Sequence, residues 1–148
     1  MTKWPCILIN YKNKIIVKKN LDFINLCLNE KLVNEISQQP IKRFDLDAII
    51  LFSDILIIPY GLGQKISFKK NLGPILGNLN LDLVIKIKEI DFLNRIYPVY
   101  KSISLLKNSM DYKNKSLIGF AGAPWTLLLY IIHKQSPKKD FDKTQIFK

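Results

Sequence analysis

The chain is poor in the residues that staple, ligate or fork. In 148 residues it has two cysteines, Cys6 and Cys27, and a single histidine, His133. Two isolated cysteines build neither a disulfide framework nor a zinc site, and no CxxC, HxH or HExxH pattern occurs. Of the 23 basic residues only Arg43 and Arg95 are arginines. Arginine supplies the planar fork used for base and phosphate recognition. No Lys/Arg run exceeds two residues, and no aromatic stripe interleaves with the lysines. The net charge of +11 therefore reads as a diffuse lysine surface, which favours an anionic partner without specifying nucleic acid. Neither GxGxxG nor a Walker pattern is present, so nucleotide binding has no local support. Long apolar runs are missing too. The most apolar segment, Trp125–Ile132, falls far short of the roughly twenty residues that span a bilayer. The start, Met1-Thr2-Lys3-Trp4-Pro5-Cys6, offers no A-x-A-like cleavage signal. These gaps predict a cytoplasmic, soluble protein with no protein-built metal site, no membrane span and no nucleic-acid partner.

What is there is an ordinary globular balance, 48% hydrophobic and 24% charged, with room for one sizeable core. Residues 1–20 read as a divergent segment with two weak strand candidates, Ile7–Ile9 and Ile15–Val17. From Asp22 the pattern is helical, with Phe23, Leu26 and Cys27 on one face. Asn29 is placed to cap a second helix whose stripe is Leu32, Val33 and Ile36, stopped or bent at Pro40. Ala48-Ile49-Ile50-Leu51-Phe52 is a short, almost wholly apolar run and predicts a strand buried on both faces, as in a parallel sheet. Gly61–Asn80 is rich in Gly, Pro and Asn and predicts mostly loop, with a short hairpin around Lys65–Phe68. Ile90–Leu106 predicts the longest helix, its stripe Leu93, Ile96, Tyr97, Tyr100 and Ile103, interrupted by Pro98. Ser116–Phe120 predicts a second buried strand. Pro124 then opens a helix to about His133, which sits at that helix's end beside its last carbonyls. The segment after Gln135 is polar and lysine-rich.

Helix, strand, helix, strand, helix, with polar residues just after each strand, is the grammar of α/β folds whose sites lie at strand carboxyl ends. Asp54 occupies such a place. Position alone leaves two readings open: a turn or capping aspartate, or a functional carboxylate whose pKa burial would raise. Tyr130, by pattern alone, is a core aromatic of an apolar helix.

Several segments, in order, carry a resemblance. Gln39-Pro40-Ile41-Lys42-Arg43-Phe44-Asp45-Leu46-Asp47-Ala48-Ile49-Ile50-Leu51-Phe52-Ser53-Asp54-Ile55-Leu56 closely resembles the first barrel strand of uroporphyrinogen decarboxylases. Gly61-Leu62-Gly63-Gln64-Lys65-Ile66 and Gly73-Pro74 are similar to that family's "LGQ-hydrophobic…GP" loop, and Ile118-Gly119-Phe120-Ala121-Gly122-Ala123-Pro124-Trp125-Thr126-Leu127 to its "GF-GAPWTL" segment. Asp22-Phe23 to Cys27 and Asn29 match its first helix. The likeness covers residues 20 to 142, so the organisation implied is a divergent segment 1–20, a barrel part 21–142 and a tail 143–148.

The resemblance implies an α/β fold, a partial (β/α)8 TIM barrel made of the first few strands only, a parallel sheet with flanking helices. It implies cofactor-free decarboxylation of the four acetate side chains of uroporphyrinogen III to give coproporphyrinogen III, in porphyrin and heme biosynthesis. Asp54 matches the family's catalytic aspartate, which faces the pyrrole N–H groups and stabilises the positive charge of the protonated ring. Tyr130 matches a tyrosine whose hydroxyl contacts substrate. The family's early Met-Arg-Gln-Ala-Gly-Arg-Tyr-Leu-Pro loop has no counterpart between Trp4 and Ile16, and lysines there would supply charge without the fork. Arg43 matches a non-catalytic position. The family's later histidine and small hydroxyl residue would fall beyond Lys148. The expectation is a tetrapyrrole substrate, a homodimer or a separately encoded second half as partner, and no activity from the isolated chain. Two alternatives stand beside it: an inactive truncated gene product, and a small basic anion-binding protein on a half-barrel. Corrinoid methyltransferases share the fold but need Cys/His zinc ligands that this chain does not offer.

Overall fold

A computed structural model of the chain describes residues 22–69, 72–109 and 115–136. The strand candidates at Ile7–Ile9 and Ile15–Val17, the rest of segment 1–20 and the tail 143–148 lie outside the described residues. Two short helices come first, α1 (Phe23–Cys27) and α2 (Glu30–Gln38). Asn29 caps α2 as its position suggests: its side-chain oxygen accepts the Leu32 N–H at 3.1 Å, satisfying one of the orphan donors of a first turn. The helix ends two residues before Pro40, which could not have donated to a further turn.

The parallel pair is β1 (Ala48–Ile50) and β4 (Ser116–Ile118), in register Ala48↔Ser116, Ile49↔Leu117 and Ile50↔Ile118. Both strands are shorter than the apolar runs that predicted them, and neither is buried on both faces. Ile49 is 2% exposed, whereas Ile50 is 62% exposed and its partner Ile118 47%. The cause is the pleat. Leu51 and Leu117 turn toward α2 and the long helix of residues 89–109, meeting Val33, Val99, Ile103 and Leu106, and Ile49, paired with Leu117 and two residues before Leu51, shares their face. Ile50 and Ile118 turn the other way, where no described element covers them.

Between these strands run α3 (Ile57–Gly61), an antiparallel hairpin of β2 (Ile66–Lys69) and β3 (Gly73–Leu76), the small α4 (Leu81–Lys86) and the long α5 (Glu89–Ser109). The hairpin agrees with the expectation around Lys65–Phe68. Gly63 before it sits at φ +90°, and a Cβ there would lie 2.6 Å from the Arg95 guanidinium, so glycine answers both the backbone and the space. A second apolar cluster, Ile24, Cys27, Ile57 and Ile96, takes in Phe23, Phe52 and Phe68; the Phe23 ring lies 5.8 Å from that of Phe52 and 4.8 Å from that of Phe68.

Helix α5 continues through Pro98, and Ser102 donates to the Pro98 carbonyl at 2.8 Å. Its buried stripe is Phe92, Ile96, Val99, Ile103 and Leu106, spaced by four, three, four and three residues as a helix face requires. Tyr97 and Tyr100, expected on that stripe, are about half exposed. At 100° per residue they fall on the far side of Ile96 from Val99 and Leu106, which rotates the true stripe away from them. The last described helix is α6 (Pro124–His133), with Pro124 in its first turn and His133 its final residue. It is strongly apolar, yet only Leu127 is buried. No helix among the described residues is long and apolar enough to cross a membrane.

Candidate active site

Pairing of β1 with β4 ends where Leu51 N–H donates to the Ile118 carbonyl at 2.9 Å. From there the two chains leave the same end of the pair, one through Phe52-Ser53-Asp54, the other through Gly119-Phe120-Ala121-Gly122-Ala123. At the opposite end Lys115 Nζ holds Asp45 at 2.8 Å and Ser116 N–H donates to the Asp47 carbonyl. Two of the segments that carry the sequence resemblance therefore meet at the carboxyl end of a parallel pair, the place where α/β folds keep their chemistry.

Asp54 is partly buried there. Its Oδ1 accepts the Leu56 N–H at 2.7 Å, a turn that leads into α3, so the two readings of this residue coexist: it is a turn aspartate and a strand-end carboxylate at once. Burial pushes its pKa above the usual carboxylate range, with the Leu56 N–H opposing. No ion pair among the described residues reaches it, and Oδ2 makes no hydrogen bond within them. The neighbouring Cys27 thiol is pushed up to about 12, by burial first and then by the charges of Asp54 and Asp22. Cys27 is thus an inert neutral wall, not a nucleophile. The described residues contain no group of three or more His, Cys, Asp or Glu able to hold a metal ion.

The start of α6 is shaped by Gly122. A Cβ there would lie 2.5 Å from Leu127 Cδ2 and 2.7 Å from its Cγ, so a glycine lets the turn close over the one side chain that seats the helix. The far end of α6 is tied to the hairpin. Leu76 N–H donates to the Lys134 carbonyl at 2.7 Å, Lys134 Nζ donates to Asn78 Oδ1, and Ile75 bridges to Gln135. Lys134, at φ 57°, ends the helix in the left-handed region. The connections that follow β1 and β4 are thereby fastened to each other.

Tyr130 is half buried, not a core aromatic, and its hydroxyl lies 3.5 Å from Ser136 Oγ. Asp54 and Tyr130 belong to segments leaving the same strand ends, but no hydrogen bond joins them. A cleft of about 690 Å³ opens beside Tyr60, Gln64, Lys65 and Arg95, and neither Asp54 nor Tyr130 lines it. One contact at the site escaped sequence reasoning. Phe52 N–H donates to Ser37 Oγ at 2.8 Å, and the only sequence clue was a hydroxyl one residue after the apolar stripe of α2.

Residues 2–146 match the family model described as "Uroporphyrinogen decarboxylase (URO-D)". Over 116 residues the chain is 44% identical to the "Uroporphyrinogen decarboxylase" of Neorickettsia sennetsu, covering 78% of this chain and 35% of that one. It is 38% identical over 126 residues to the enzyme so named from Rickettsia canadensis, covering 85% and 37%, and 41% identical over 110 residues to that from Agrobacterium fabrum, covering 74% and 32%. The chain thus spans about a third of the length of the curated relatives it matches.

Proposed function

The chain belongs to the uroporphyrinogen decarboxylase family, and on that premise we propose that it supplies the first part of a (β/α)8 barrel that decarboxylates uroporphyrinogen III to coproporphyrinogen III. The observation that carries the proposal is Asp54: a carboxylate at the tip of β1, oriented through Oδ1 by Leu56 and holding Oδ2 in reserve. In each round a pyrrole carbon takes a proton and the ring becomes cationic. The bond between an acetate CH2 and its carboxylate then breaks, its electron pair neutralises the ring and CO2 leaves; a proton added to the exocyclic CH2 completes a methyl group, and loss of the proton first placed on the ring carbon restores the neutral pyrrole. Asp54 accepts hydrogen bonds from the pyrrole N–H groups and opposes the positive charge as it develops. Partial burial makes that charge pairing stronger than it would be in water. The pyrrole N–H groups and the cationic ring draw the Asp54 pKa back down, so the carboxylate is ionised when it is needed.

Tyr130 is assigned a second substrate contact. Its 3.5 Å approach to Ser136 is a weak bond that a tetrapyrrole carboxylate readily replaces. The face formed by Ile50 and Ile118, open among the described residues, and the one edge of β1 that pairs among them favour further barrel strands as the cover, with dimerisation of the completed barrel. The composition, basic and poor in cysteine, fits a cytoplasmic setting. Coproporphyrinogen formation is the test. The 148-residue polypeptide alone should give none, and mixing it with the carboxyl-terminal two thirds of a relative should restore turnover. Turnover by the isolated chain, or none after a complex has demonstrably formed, would defeat the proposal.

A further inference from the structure

We infer that Ser37 is a positioning residue for Asp54: from the buried face of α2 its hydroxyl holds the Phe52 N–H and so fixes where β1 ends and where the carboxylate two residues later is presented. The inference rests on the reading of Asp54 given above and concerns how that residue is held.

Strand parity decides where the Phe52 N–H points. In a parallel pair the N–H and C=O of alternate residues point to the same neighbour. Asp47 accepts from Ser116 and Leu51 donates to Ile118, so the odd-numbered residues of this stretch face β4. Phe52, being even, points its N–H to the opposite edge, and among the described residues β1 has no strand on that side. A partly buried N–H without an acceptor is costly, and β4 cannot supply one. Ser37 does, at 2.8 Å, from a position only 4% exposed. Its own helix is in turn locked to the far end of α5, where Gln38 Nε2 donates to Ser109 Oγ at 3.0 Å. The chain beyond Phe52 is thus referred to the α2–α5 layer and not to the strand pair. Two residues on, Asp54 makes its own bond to Leu56, so Phe52 and Leu56 are the two fixed points between which the carboxylate is hung.

The mechanism predicts a local effect on Asp54 that simple loss of stability would not produce. Ser37→Ala should speed amide exchange at Phe52 about tenfold, the worth of one typical hydrogen bond, while Val33 and Ile49 exchange with the change in global stability alone. In the same variant the Asp54 carboxyl, followed by carbon-13 NMR, should titrate lower, toward an ordinary aspartate, as its strand end loosens into water. Cys27 does not disturb the reading, because its thiol stays neutral to about 12. Ser37→Thr keeps the hydroxyl and should restore both values. Should Ser37→Ala fail to fold, Ser37→Cys, a weak acceptor at the same place, serves for the comparison. An Asp54 midpoint unmoved in the folded variant, or no rescue by threonine, overturns the inference. A coupling that is present while turnover of the completed enzyme ignores Asp54 would instead overturn the functional reading and leave Ser37 as the holder of the strand end.

Discussion

Neighbouring isoleucines on one strand give the sharpest test of the architecture. Ile49 is 2% exposed and Ile50 is 62% exposed, although sequence alone cannot tell them apart. Truncating a buried isoleucine to alanine removes transfer energy and leaves a cavity, together about 2–5 kcal/mol. Ile49→Ala should cost that much in urea denaturation of the chain. Full burial of an isoleucine is worth about 1.5–3 kcal/mol, so Ile50, with 62% of its surface still in water, has realised only about 0.6–1.1 kcal/mol of it. Ile50→Ala should therefore cost about 1 kcal/mol or less in the isolated chain. The unrealised part, about 1–2 kcal/mol, is gained only when something covers the face. Binding of the carboxyl-terminal barrel segment should accordingly weaken roughly five- to thirtyfold in Ile50→Ala, a range set by tenfold per 1.4 kcal/mol. Equal costs for the two substitutions in the isolated chain, or an association constant indifferent to Ile50, would refute the reading of that face as one the rest of the barrel covers.

Other consequences follow from the same geometry. Because burial raises the Asp54 pKa in the folded state, the folded chain binds more protons than the unfolded one between the ordinary carboxylate value and the raised one. Stability from this group then falls as pH rises through that window, and the cost is fully present above it. Asp54→Asn keeps an acceptor for Leu56 and removes the charge, so it should melt higher than the parent at neutral pH, with the gap closing as pH falls from the raised value of Asp54 to the ordinary carboxylate value of about 4; a gap that widens in acid would contradict the burial argument. Gly122→Ala should cost about 1–3 kcal/mol by overpacking, since the new methyl meets both the Cγ and a Cδ of Leu127. Urea denaturation and the loss of Leu127 protection would register it, and a neutral substitution would show that α6 is seated otherwise.

Much of this was legible in the residues. Asn29, Pro40 and Pro124 act through local chemistry, a side-chain acceptor or a missing N–H, and local chemistry can be read in a line of sequence; each stands where that chemistry predicted. The register that brings Asp54 and the Gly119–Ala123 turn to one end could be anticipated only from the family likeness. The faces of β1 and β4 could not be read, because an all-apolar run has no period to show which side is covered. Its composition matches burial on both sides, and the described chain supplies one. A hydrophobic pattern places Tyr97 and Tyr100 on the stripe of α5 because large aromatics weigh heavily in it, while the packing selects Val99 and the small Ser102. Helices α3 and α4 were hidden by their length and by Pro59 and the surrounding asparagines. The Ser37–Phe52 contact joins residues fifteen apart in different elements, which no periodicity encodes.

The central claim is that Asp54 is the negative counterpart of a ring that turns cationic, and turnover of the completed enzyme tests it most directly. With the carboxyl-terminal segment bound, Asp54→Asn should lower kcat for coproporphyrinogen formation by about 10²–10³, the scale seen when one preorganised electrostatic group is removed, while tetrapyrrole binding weakens by less, because asparagine keeps an acceptor for the pyrrole N–H groups. A kcat equal to that of the parent complex would contradict the claim outright.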